Sequence, residues 1–259
     1  MKSPLRFRKQ IPFFYDKSEK EIQQDPYERF DPMVIRQSAL HLADELWGAY
    51  PMQDILAFSK PFLSLVQATN ILEIGCGVGR WIATLAQAYP EAECWGIDYS
   101  YQMLKRAQEV WVDGKSVALN LAKHGFSATH QIQGIELANL HFGLSKASLL
   151  PFADQSQDLV VSSFLFDRLE HPISGIQEMQ RVLRPDGILL LLTPLNFNTA
   201  KHWEQFYPPI KIHQTLIQMG FEILDWQEEI NITEPLDLRG NAVHWKCIGL
   251  ACKNNSIHS

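Results

Sequence analysis

Three glycines at alternate positions, Gly75, Gly77 and Gly79, follow the apolar run Ile71-Leu72-Glu73-Ile74 and precede Arg80–Tyr89, a stretch with helical spacing. Glycine lets a backbone turn sharply and lets a ligand approach closely. A ligand at such a turn lies against the N-terminus of a helix, outside the carboxyl end of a strand. A second feature is Asp98, which ends the next apolar run, Ala92–Ile97, 19 residues after Gly79. A carboxylate there can accept hydrogen bonds from both hydroxyls of a ribose. It would repel a 2′-phosphate, which disfavours NADP.

Two cofactor classes use this geometry. A dinucleotide asks for G-x-G-x-x-G. Here the third glycine comes one residue early, and Arg80 stands where it should be. The E-x-G-x-G-x-G pattern of Glu73–Gly79 suits S-adenosyl-L-methionine (SAM) better, because its amino and carboxylate groups must be held and it has no pyrophosphate to cradle. A non-catalytic SAM-binding partner protein is the second reading, and an NAD-dependent oxidoreductase is a weaker third.

The elements that must position these residues alternate. Ile71–Ile74, Ala92–Ile97, Leu140–Leu144, Asp158–Ser163 and Ile188–Thr193 read as strands. Arg80–Tyr89, the segment capped by Ser100, and Ile173–Leu183 read as helices. A further helix ends at Met219-Gly220, followed by strands near Phe221–Ile230 and Val243–Cys252. Strand–helix alternation implies an α/β fold with a mostly parallel sheet. Residues 1–69 read as a helical extension. Asp31-Pro32 suits a helix start, with Asp31 as the cap. Ile35, Ala39, Leu42 and Leu46 share a face, and a second helix covers about Asp54–Val66 around Pro61. Residues 111–139, with Trp111, His124 and His130, are too long for a βα connection and read as an insertion with some helix of its own.

Four segments in order resemble the class I, seven-stranded SAM-dependent methyltransferases. They are the Glu73–Gly79 loop, Gly96-Ile97-Asp98-Tyr99-Ser100 with Met103-Leu104, Leu150-Pro151-Phe152-Ala153-Asp154 before Asp158-Leu159-Val160-Val161, and Glu178 through Gly187, which is close to E-x-x-R-V-L-K-P-G-G. The resemblance covers about Asn70–Thr193. It implies a doubly wound, mostly parallel seven-stranded sheet with an antiparallel C-terminal strand. It also implies SAM as cofactor, S-adenosyl-L-homocysteine as product and a small-molecule acceptor. Glu73, Gly75, Cys76 and Gly77 would surround the amino-acid part of SAM, and Asp98 would hold the ribose. Tyr99 and Met103 would flank the adenine, Ala147 and Ser148 would meet its edge, and Ser163 and Phe164 would lie beneath the sulfonium. Two departures stand out. Ser145-Lys146 replaces an acid often found before the Leu-Pro-Phe segment, and Asp167-Arg168-Leu169 replaces a His-His-Leu stretch.

Methyl transfer needs alignment and exclusion of water more than a fixed catalytic triad. A general base is needed only for a protonated nucleophile. The candidates after the predicted strands are Asp167, His171 and His202, with Glu170 and Trp203 beside them. Tyr15 and Tyr27 are candidate lid residues. Trp95 and Trp245 fall in predicted strands and are assigned to the core. Cys76 is read as a small residue that fits the loop, not as a nucleophile.

Composition excludes several classes. The 259 residues are 46% apolar and 20% charged, ordinary for a globular chain that buries its own core. Charges of 23 basic against 29 acidic, net −6, oppose a general nucleic-acid footprint. The longest aliphatic run, Ile188–Leu192, is far shorter than the roughly 20 residues of a membrane span. Lys2, Arg6, Arg8 and Lys9 are followed by no signal-like apolar segment and read as a solvated tail. Cys76, Cys94, Cys247 and Cys252 form no C-x-x-C pair, so no metal site is read and a reducing cytoplasm is expected.

Overall fold

The computed structural model describes residues 1–122 and 129–255. In chain order, β1 (Arg6–Arg8) and β2 (Ile11–Phe13) form a hairpin. Five helices follow: α1 (Glu19–Gln24), α2 (Pro26–Arg29), α3 (Asp31–Leu42), α4 (Asp44–Trp47) and α5 (Gln53–Leu63). Next come β3 (Asn70–Ile74), α6 (Arg80–Ala88), β4 (Glu93–Asp98), α7 (Tyr101–Trp111), β5 (Val117–Asn120), β6 (Thr129–Ile132) and β7 (Leu140–Leu144). The chain continues through β8 (Gln157–Ser163), α8 (Pro172–Val182), β9 (Leu183–Thr193), α9 (Ala200–Phe206), α10 (Ile210–Gln218), β10 (Phe221–Pro235) and β11 (Ala242–Asn254).

Strands buried on both faces read as continuous apolar runs, and β3, β8 and β9 are of this kind. The main sheet has the order β1-β2-β7-β4-β3-β8-β9-β11-β10. The run from β7 to β9 is parallel, and β11 and β10 join antiparallel. These seven strands are the expected doubly wound sheet. The β1–β2 hairpin adds two more at the β7 edge through the parallel pair Phe13–Leu144, burying Ile11 and Phe13. The N-terminal cluster of basic residues, expected to be a solvated tail, therefore lies partly in sheet. Its arginines cover aromatic rings, with Arg6 over Phe13 and Arg8 over Tyr101, each at 4.0 Å.

Local details differ from expectation for physical reasons. In α3, Asp31 and Pro32 lie inside the first turn, and Phe30 is the uncapped flanking residue. The helix stops at Leu42, and the segment reaching Leu46 is a separate short helix that ends on Gly48 in the left-handed region. In residues 111–139, α7 ends at Trp111. The described part beyond it is a two-stranded antiparallel ladder, Val117–Asn120 against Thr129–Ile132, where helix was expected. His124 lies outside the described residues.

The β10–β11 pair outruns the sheet. Strand β9 pairs with β11 only over Ile248–Lys253, while the β10–β11 ladder continues to Pro235–Ala242. The register of the pair shifts between Gln227 and Ile230, at the base of the projecting arm, as at a bulge. The arm returns over the carboxyl ends of the strands. There Arg36 of α3 donates to Glu234 at 2.7 Å, across 198 residues of chain.

Candidate active site

Sheet order reverses around β3, where β4 and β7 lie on one side and β8 and β9 on the other. In open α/β sheets the crevice for a ligand forms at that switch point. The three loop glycines all have positive φ, +75° at Gly75, +54° at Gly77 and +79° at Gly79, which L side chains rarely adopt. The Gly75 and Cys76 amides both donate to the Ile97 carbonyl, at 2.8 and 3.1 Å, and bind the loop to β4. At Gly79 a Cβ would stand 2.7 Å from the Phe142 ring, so space as well as φ requires glycine.

Glu73 is buried, 3% exposed, and Oε2 accepts the Ile82 amide N–H at 2.9 Å. Burial pushes its carboxyl well above the usual range, partly countered by that amide. A buried acid with a single donor fits a cationic amino group beside it. Asp98 ends β4. Its Oδ2 accepts from the Gly77 amide at 2.8 Å and its Oδ1 from Ser100 at 2.7 Å. Burial raises its pKa, and these two amides oppose the rise. The Cys76 thiol is raised far by burial and stays protonated, as a residue that only fills space would.

The loop carrying Ala147 and Ser148 is held from below. Glu178 of α8 accepts the Leu150 amide at 2.7 Å, and Arg181 donates to the Leu150 and Phe152 carbonyls at 3.2 and 2.9 Å. The E-x-x-R pattern thus clamps the loop and does not touch the crevice. Tyr99 is covered by the N-terminal segment. Lys17 Nζ stands 3.9 Å from its ring centre and is paired with Asp25 at 2.6 Å and Glu28 at 3.2 Å. Tyr15 lies 6.1 Å from Tyr99, ring to ring.

Glu73, Gly75, Cys76, Gly77, Asp98, Tyr99, Met103, Ala147, Ser148, Ser163 and Phe164 all line one cavity of about 1060 Å³. Its volume stands at the upper end of the range for a small-molecule site, roughly 300–1,000 Å³. The same cavity is also lined by elements outside the sheet core: Tyr27 of α2, Arg36 and His41 of α3, Tyr50, and Glu234 and Trp245 of the projecting arm. Trp245, expected in the core, instead lines this cavity. Its Nε1 donates to Glu234 at 2.9 Å and its ring meets Phe164 edge-on at 5.8 Å. His41 Nδ1 lies 2.8 Å from the Tyr50 hydroxyl, and burial with the nearby Arg80 charge lowers the imidazole pKa to about 4. It is therefore neutral at pH 7.

The three catalytic candidates separate. His171 borders the large cavity. Asp167 and His202 line an adjoining one of about 570 Å³, which His171 shares. Asp167 is buried, its Oδ1 accepts from Thr193 at 2.9 Å, and burial raises its pKa. The His202 ring packs against Phe197 and Phe206. Trp203 donates Nε1–H to the Phe197 carbonyl and is partly exposed. Sequence reasoning gave no signal for Arg36, His41 or Tyr50, because they reach the chamber only through packing of the N-terminal helices.

A doubly wound sheet with a glycine loop at its switch point and an acid at the end of the next strand defines a nucleoside-cofactor-binding α/β domain. Residues 72–191 match the family model described as a methyltransferase domain. The match covers a little under half of the chain, and SAM is the cofactor that such a domain implies. The chain is similar to a demethylmenaquinone methyltransferase of Listeria welshimeri, 27% identical over 142 residues, 54% of this chain and 51% of that protein. It is also similar to a malonyl-[acyl-carrier protein] O-methyltransferase of Methylococcus capsulatus, 30% identical over 126 residues, 48% of this chain and 37% of that protein. The chain thus spans about half the length, or less, of these curated relatives. In fold it is similar to a SAM-dependent methyltransferase from Aquifex aeolicus, with TM-score 0.51, 19% identity, and coverage of 87% of this chain and 99% of that one. No helix among the described residues is long and apolar enough to cross a membrane.

Proposed function

We propose that this chain transfers a methyl group to a small-molecule acceptor bound in the chamber beside the glycine loop. The observation that carries this reading is the single cavity. Beyond Glu73 and Asp98 it is lined by Phe164, Trp245, Met52 and Ile55 together with Arg36, Arg168 and Glu234. A protein that only binds the cofactor has no need of this additional lining.

When bound, SAM supplies a methyl group on a sulfonium, already activated for displacement. The chain's residues do the rest. Glu73 offers a buried carboxylate to an amino group, and Asp98 offers acceptor lone pairs to ribose hydroxyls. Ala147 and Ser148 would offer backbone groups to the adenine edge, and Tyr99 and Met103 would flank its ring. Phe164, Leu165 and Trp245 would keep water from the reacting end, so that proximity and desolvation would supply the rate. A protonated acceptor would also require a base. His171 borders the chamber, and His41 is neutral within it.

Calorimetry with SAM, S-adenosyl-L-homocysteine and NAD tests the cofactor half. Binding of the first two and not of NAD is expected, whereas tight NAD binding without SAM binding would sink the reading. Radiolabel transfer from methyl-labelled SAM to a panel of phenols, carboxylic acids and amines tests the acceptor half. SAM binding with no transfer to any of them would favour the non-catalytic partner.

A further inference from the structure

The large cavity is lined by four cationic side chains, and three are committed. Arg36 is paired with Glu234, Arg80 with Asp44 and Lys146 with Glu21, each at 2.7 Å. Arg168 is different. Its one carboxylate contact among the described residues is Nε to Asp167 Oδ2 at 3.4 Å. That leaves its two terminal amino groups, and its side chain is 43% exposed. It sits in the single turn of 3-10 helix, Phe166–Arg168, directly after β8. A guanidinium presents a planar fork that matches a carboxylate two bonds at a time.

Arg168 lines both the large cavity and the adjoining one, and two further observations concern the large one. Phe164 lies just before the turn with φ +54°, a conformation costly for a bulky side chain. It is held there by donation from its amide to Leu192 at 3.0 Å. Strain of this kind concentrates at ligand sites, and here the Phe164 ring stands edge-on to Trp245 as an aromatic wall. Tyr27 also lines the chamber and feels the charges of Asp98, Arg168 and Glu234. Tyr27 thus shares one cavity with Asp98, Arg168 and Glu234. No hydrogen bond engages its hydroxyl among the described residues.

We propose that the acceptor is a planar, apolar molecule carrying a carboxylate, which Arg168 captures while Phe164 and Trp245 pack on its body and Tyr27 donates a hydrogen bond to it. The proposal rests on the methyl-transfer reading and adds the substrate class to it. Glu170, exposed on the same rim, is the group that would instead attract a cationic acceptor.

The test uses the full chain saturated with S-adenosyl-L-homocysteine. It compares 1-hydroxy-2-naphthoate with 1-naphthol, two probes that differ only in the carboxylate, by calorimetry. The acid should bind at least tenfold more tightly, and Arg168→Gln should bring the two within about threefold. Tyr27→Phe should weaken both probes several-fold, and neither variant should change homocysteine-adduct binding by more than about twofold. Equal binding of the two probes to the unaltered chain overturns the proposal, as does a preference that survives Arg168→Gln. A tenfold loss of S-adenosyl-L-homocysteine affinity in Arg168→Gln also overturns it, because the arginine would then serve the cofactor. If the unaltered chain binds no S-adenosyl-L-homocysteine, the methyl-transfer reading itself fails. If it binds the adduct without preferring the acid, only the acceptor class fails.

Discussion

The Gly77 amide donates to Asp98 Oδ2 at 2.8 Å, so the middle glycine of the loop and the acid ending β4 form one hydrogen-bonded unit. The same carboxylate accepts from Ser100, the cap of α7. Loop, strand and helix are thus tied together through the group expected to hold the ribose.

Asp98→Ala should therefore weaken binding of S-adenosyl-L-homocysteine by about 2–4 kcal/mol, given hydrogen bonds to a charged group of roughly 1.5–3 kcal/mol each. Titration calorimetry measures this. Unchanged affinity would mean that the acid serves the loop alone.

Gly79→Ala should destabilise the fold by roughly 2–5 kcal/mol. The left-handed conformation costs a Cβ about 1–2 kcal/mol. Overpacking against the Phe142 ring adds about 1–3 kcal/mol. Urea unfolding should show a lower midpoint at unchanged slope, and a midpoint equal to that of the unaltered chain would contradict the close packing of α6 on β7.

Arg181→Met should cost about 2–4 kcal/mol in stability, because it removes the donors to Leu150 and Phe152 and strips Glu178 of its ion partner. Cofactor affinity should fall with it, although Arg181 does not line the cavity. A variant with normal affinity and a lowered melting temperature would show that the 147–148 backbone is held by other contacts.

His41 adds a pH dependence. Its pKa falls from 6.5 to about 4 on folding, so the unfolded chain binds more protons between these values. The contribution is fully present above about pH 6.5 and is lost as pH falls toward 4. By pH 5 the loss is about 2 kcal/mol. Chemical denaturation of the unaltered chain and His41→Gln at pH 7.5 and pH 5 isolates it, since the raised carboxylates of Glu73 and Asp98 are common to both. Parallel pH profiles for the two proteins would rule out a buried neutral imidazole.

The parts legible in the sequence are those in which local chemistry decides the outcome. Gly75, Gly77 and Gly79 announce a backbone that only glycine adopts readily. Ile71–Ile74 and Ile188–Leu192 announce strands buried on both faces. Glu178-x-x-Arg181 was visible as a motif, but its role as a clamp under the 145–154 loop required the contacts with Leu150 and Phe152. The β5–β6 ladder was not legible, because its strands are four residues each and mostly polar or exposed. The β1–β2 hairpin was hidden by Pro12 and by flanking arginines that suggest solvent.

The sequence by itself determined the glycine loop, because glycine φ, strand burial and the spacing to Asp98 are properties of neighbouring residues. Only the tertiary structure decided which residues line the cavity beyond that loop. Its walls come from Tyr27, Arg36, Phe164, Arg168, Glu234 and Trp245, which lie up to 218 residues apart in the chain. Nothing local marks such residues as neighbours. They meet because α3 and the β10–β11 arm bury apolar faces over the ends of the strands, and that packing brings the Arg36–Glu234 pair and the Phe164–Trp245 rings together.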